Sequence, residues 1–219
     1  MAQYRDNTPF GTIMRALGDL ITLNLLWFAC AAPIITFGAS TTAMVSVMFK
    51  RRRYHGVPVI KTFFEEFVKN FKKATLINLV FLAFGVIAVV DYIFVFTQAS
   101  GAIYYVYIGV ASIAALCALI LLTFGFAQLA VFENKVKNYI KNSFILAFIA
   151  PGKMILCWIF FIVPWAILLL VKNPMEFLEY FGAFYLMWGF SGPAYLSVIQ
   201  LEKVFSRFGY DREPGSPDE

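Results

Sequence analysis

The chain has 219 residues, is 61% hydrophobic and 18% aromatic, and carries 18 Lys/Arg against 13 Asp/Glu for a formal net charge of +5. Its apolar runs lack the period-two alternation of membrane strands, which argues against a β-barrel. Its basic residues sit beside those runs, which argues against a nucleic-acid surface and for an all-α, polytopic membrane helix bundle.

Fifteen of the 18 basic residues fall in three stretches: eight in 50–73, four in 135–153 and three in 203–212. Lys and Arg accumulate in cytoplasmic loops, so these stretches mark the inner face of the membrane. A crossing needs about 20 apolar residues. The polar start, residues 2–9, holds Arg5 and Asp6. The apolar run after it is far longer than a signal-peptide core, so no cleaved leader is expected.

Run 12–49 is too long for one crossing and short for two. Asp19 and Asn24 are its intramembrane polar candidates. A cation pathway would use Asp19; a place near the interface, or a pair with Arg15 one turn earlier, weighs more. Pro33 removes a backbone donor and Gly38 permits a turn, so the spacing predicts a helix break between them. Gly38 is expected at a non-helical turn, with the next helix starting at about Ala39 or Ser40. The break favours six crossings with the N-terminus inside. A single crossing would give five and turn Arg5 and Arg15 outward. The second crossing, 39–49, rises only about 16 Å and is short or broken. Pro33, Thr36, Gly38, Ser40, Thr41 and Thr42 form the candidate ligand site of this break, since hydroxyls there meet free N–H groups and a positive dipole. The plainer reading, favoured here, is that a Ser40 or Thr41 hydroxyl caps the helix and small residues allow close packing.

His55 is the only histidine and reads as a solvated loop residue without a metal partner. From Phe63 to Phe71 the apolar residues recur at three and four. Phe64, Phe67 and Phe71, with Lys69 and Lys73 opposite, read as a cytoplasmic amphipathic helix at the membrane surface. Either lipid alone or a protein partner could cover it. A second such helix carries Lys137 and Lys141. Phe64, Glu65, Val68, Lys69, Asn70, Phe71, Lys73, Thr75 and Ile77 recur 68 residues later as Phe132, Glu133, Val136, Lys137, Asn138, Tyr139, Lys141, Ser143 and Ile145. This is either a parallel repeat centred on 64–77 and 132–145 or a chance likeness of two inner helices.

Runs 75–96, 103–131, 154–171 and 177–199 cross alternately outward and inward. Residues 97–102 and 172–179 are outer turns, and 133–153 an inner loop. Asp91, Tyr104, Tyr105 and Tyr107 mark the outer interface. The sequence Gly189-Phe-Ser-Gly-Pro193 is a second break, read as a packing kink or as a wall of the same cavity. Cys30, Cys117 and Cys157 lie in apolar runs with no Cys-x-x-Cys, so neither disulfide nor metal is expected. Residues 1–201 form one membrane domain, and 202–219 a cytoplasmic tail.

The block Asn24–Trp27, the string Pro33-Ile-Ile-Thr-Phe-Gly-Ala-Ser-Thr-Thr-Ala43 and the Phe-rich segment 63–76 together resemble the YesL family of Gram-positive membrane proteins. The likeness is strong over the first third and rests on span pattern after it. That family is a domain of unknown function, often encoded beside carbohydrate ABC importers. The resemblance implies a role in sugar uptake and no catalytic residue. No phosphate-cradling loop and no Ser/His/Asp set occurs, so neither enzyme activity nor a cofactor is expected. The expected function is an accessory or regulatory subunit of a carbohydrate ABC importer, touching the lipid bilayer and the importer permease or ATPase subunits, with no nucleic acid bound. The alternative is a small independent carrier or channel.

Overall fold

The computed structural model describes residues 9–54, 56–98, 100–170 and 185–210, together with Met175, Glu179 and Gly182. Among these residues every regular element is helical. His55, residues 1–8, the tail beyond Tyr210 and the expected outer turn 172–179, apart from Met175 and Glu179, lie outside the described residues.

Helix α1 (Pro9–Ala31) starts on a proline, which loses nothing at a first helical position. It stops before Pro33, whose ring disfavours helical geometry at Ala32. A 3₁₀ turn (Ile34–Thr36) leads into α2 (Phe37–Arg53). The break thus falls at residues 32–36, and the expectation of a non-helical Gly38 is corrected. Gly38 lies in the first turn of α2. Its reason is proximity: a Cβ there would sit 2.7 Å from Phe126 Cε1 and 2.8 Å from the Ala74 carbonyl. Apart from the half-buried Thr41, α2 is buried from Gly38 to Phe49, so it is the axis of the bundle. It includes the four basic residues 50–53 and rises about 25 Å.

After a turn through Gly56 (φ +76°), α3 (Val59–Thr97) begins on Pro58. Its 39 residues rise about 58 Å, roughly twice a hydrocarbon core. The separate surface helix expected at 63–73 is corrected: that segment is the first third of α3. No Gly or Pro occurs from 59 to 84, so nothing interrupts the hydrogen-bond ladder where apolar residues replace basic ones. Gly101 (φ +60°) turns the chain into α4 (Gly101–Ile120). A π-helical turn (Leu121–Gly125) joins α4 to α5 (Phe126–Val131).

Helices α6 (Val136–Ile149) and α7 (Pro151–Leu170) meet at 99°. Pro151 has no N–H to continue α6, and Ala150 leaves helical geometry (φ −130°, ψ 52°). The last apolar run is not one rod. Residues 185–188 are helical, Gly189 and Phe190 turn, and α8 (Ser191–Phe205) follows. Three described helices or helix runs are long and apolar enough to cross a membrane: Ile13–Ala31, Val59–Thr97 and Gly101–Val131. The bent pair of α6 and α7 makes a fourth if counted as one span. α2 packs against α1, α3, α5 and α8. Trp27 stacks on Phe190 at 4.5 Å, joining the two breaks across the core.

The two repeat segments make matching local bonds. Thr75 Oγ1 donates to Phe71 O at 2.8 Å, and Ser143 Oγ to Tyr139 O at 2.7 Å. Asn70 donates to Glu66, and Asn138 to Asn134, each four residues back. Their backbones differ, since the second copy enters its helix only at Val136.

Candidate functional site

At the first break the chain's own carbonyls need donors. Thr36 Oγ1 lies 2.6 Å from Cys30 O and 2.8 Å from Pro33 O. Ser40 Oγ donates to Trp27 O at 3.1 Å, and Thr41 Oγ1 accepts the Trp27 indole N–H at 3.1 Å. Asn78 of α3 donates to Ile34 O at 2.8 Å. The expected cap, a Ser40 or Thr41 hydroxyl on a free N–H of α2, is therefore corrected. Ser40 and Thr41 instead bond the backbone carbonyl and the indole of Trp27, and Thr36 supplies a donor to the Cys30 carbonyl, which the end of α1 leaves without a helical partner. Thr42 is buried and its Oγ1 has no partner. Pro33 is exposed.

The second break is held by Asn24 of α1. Its Oδ1 accepts the Phe190 and Ser191 N–H groups at 3.1 and 2.9 Å, and its Nδ2 donates to Leu186 O at 2.6 Å. One fully buried carboxamide thus caps the start of α8 and the end of the turn before it. Asp19 pairs with Arg51 of α2 rather than with Arg15.

Between the breaks lies a cavity of about 210 Å³. Trp27 and Thr41 face it from the first break, Phe190 and Ser197 from the second, and Thr123 and Trp158 from the π turn and α7. Thr123 accepts the Trp158 indole N–H at 2.9 Å. Ser197 is buried with no partner for its Oγ. The wall is otherwise apolar, apart from the Cys157 thiol. Such a space suits an apolar guest offering one hydrogen bond and does not suit a sugar, whose hydroxyls would lose water without replacement. No metal-holding cluster of His, Cys, Asp or Glu occurs among the described residues.

The end of α2 is a basic clasp. Lys50 Nζ meets Glu66 Oε1 of α3 at 2.6 Å, and Glu66 is itself buried and bonded to Asn70. Arg51 reaches Asp19 of α1 and Val57 O. Arg52 meets Glu202 of α8 at 2.7 Å, and Arg53 donates to Tyr210 O at 2.6 Å. Nearby, the Phe ridge of α3 turns largely inward: Phe63 is buried, Phe67 and Phe71 are half-buried, and Phe64 is exposed. Lys69 bonds Glu133 at 3.0 Å and, with Lys73 beside it, holds that carboxyl below its usual range. Lys137 and Lys141 are exposed on α6. Sequence reasoning missed the tie from Asn24 to α8 and the role of Glu66. The available signal was the presence of an amide and a carboxylate on otherwise apolar helix faces.

No curated protein and no solved structure matches the chain. Residues 20–92 match the family model described as protein of unknown function, DUF624, a stretch that takes in Asn24, the first break, the four basic residues of the clasp and most of α3 and stops before the α4 and α7 walls of the cavity.

Proposed function

We propose that this membrane protein is an accessory or regulatory subunit of a carbohydrate importer and does not itself carry the sugar or catalyse a reaction. The observation that carries the reading is the use of polar groups. Thr36, Ser40, Thr41, Asn24 and Asn78 are spent on the chain's own breaks, and the cavity between the breaks, which of these Thr41 alone lines, is largely apolar. A solute pathway needs several polar groups facing an aqueous route. The link to carbohydrate uptake rests on the resemblance to the YesL family, with which the family match is consistent. In this reading the chain crosses a bacterial cell membrane six times, α2 being the short second crossing, with both termini and the clasp cytoplasmic.

Purification of the tagged chain in mild detergent tests the proposal. Recovery with identified importer permease or ATPase subunits is the expected result. A lone, monodisperse protein that moves sugar into liposomes would overturn it in favour of a carrier.

A further inference from the structure

A groove of about 550 Å³ opens at the elbow between α6 and α7. Its walls have two chemistries. Ile149, Leu156 and Val204 are apolar, while Lys153, Lys203 and Arg207 bring three positive charges from α7, α8 and the turn after α8. No carboxylate is among the described residues that line it. Lys153 Nζ is held by the neutral Gln200 side chain at 2.9 Å, which fixes the ammonium without cancelling its charge. Glu202, the acidic residue of α8, is engaged by Arg52 at 2.7 Å. The start of α7 adds its positive dipole end.

Depth decides what can enter. The groove lies where α7 passes from Lys153 into an apolar run, the level at which a membrane helix meets headgroups. Beside it Phe148 is 86% exposed and Ile155 50%, surfaces suited to hydrocarbon rather than water. Basic residues spread over a rim would attract anionic headgroups loosely. Here two helices and a 99° bend set three cations above an apolar floor in one concavity.

We propose that this groove binds one anionic phospholipid, its phosphate on Lys153, Lys203 and Arg207 and an acyl chain against Ile149 and Leu156. The site is independent of any importer. Each Lys or Arg near an anionic surface contributes roughly five-fold in affinity, so removing two should weaken binding roughly thirty-fold.

The test uses the purified full chain in neutral detergent, with native mass spectrometry and thermal unfolding as readouts. The probes are phosphatidylglycerol, phosphatidylcholine with the same acyl chains, and inorganic phosphate. Phosphatidylglycerol should bind one to one and raise the unfolding temperature, with phosphatidylcholine about ten-fold weaker and inorganic phosphate without effect. The Lys203→Gln/Arg207→Gln variant should lose the effect while unfolding normally without lipid. If that variant fails to fold, Lys203→Gln alone, expected about five-fold weaker, decides between the same outcomes. Equal binding of both lipids, parent-like binding by the variant, or the same stabilisation by inorganic phosphate would overturn the proposal. So would lipid binding that emerges only after residues 211–219 are deleted, since the acidic tail would then own the groove.

Discussion

Asn24 joins three backbone groups that lie more than 160 residues away in sequence. Asn24→Leu fills similar space but leaves the Phe190 and Ser191 N–H groups and the Leu186 carbonyl without this partner. Losing the bond to the buried Ser191 N–H costs about 1–3 kcal/mol and the two partly buried bonds add less, so a loss of about 2 kcal/mol is expected, a fall of roughly 4–8 °C for a chain of this size. Thermal unfolding in detergent measures it, with exposed Leu25→Ala as the reference. If both variants unfold alike, packing alone holds the second break. Gly38→Ala makes a different demand. Its methyl group would press on Phe126 and on the Ala74 carbonyl, of which only the ring can move, so about 1–3 kcal/mol should be lost. Gly18→Ala meets nothing within 4 Å and should be neutral or slightly stabilising. Equal effects at the two glycines would count against the close approach of α2 to α3.

The helices show where sequence was informative and where it was not. Pro33 announces its break because a missing N–H is a local fact, whereas the bend at Pro151 is passed over inside what reads as an inner loop. Gly38 misled because a glycine used for a turn and one used for close approach look the same in sequence. The Phe-rich start of α3 misled for a related reason. Its basic residues mimic an interfacial helix, yet a change of composition does not end a helix; a Gly, a Pro or a cap does. The polar groups at the breaks were visible as residues, but their acceptors were not, since Asn24 and Asn78 act on other elements. The continuity of α3 can be measured. Spin labels at positions 61 and 79 stand on one face, 18 residues and about 27 Å apart at helical rise. Pulsed dipolar spectroscopy should give one narrow distance near that value. A broad or much shorter distribution would restore a separate surface helix.

At the scale of the whole molecule the first question is orientation. Proposed cytoplasmic placement of the N-terminus and of residues 50–73 predicts that a cysteine at position 3 is shielded from impermeant reagents in intact cells. Labelling from outside would reverse the six-crossing arrangement. The clasp also sets a schedule for synthesis. Arg51 can meet Asp19 as soon as α2 is made, and Lys50 can meet Glu66 shortly after. Arg52 and Arg53, in contrast, await Glu202 and Tyr210, about 150 residues later. At 5–20 residues per second the ribosome needs roughly 8–30 s for that interval. Throughout it the central helix stands without α8 against it, and Arg52 waits for its carboxylate. A nascent chain stopped after residue 190 should therefore be cleared by membrane proteases well before one stopped after residue 210. The most deeply placed helix is thus among the first to be translated and the last to be fully enclosed.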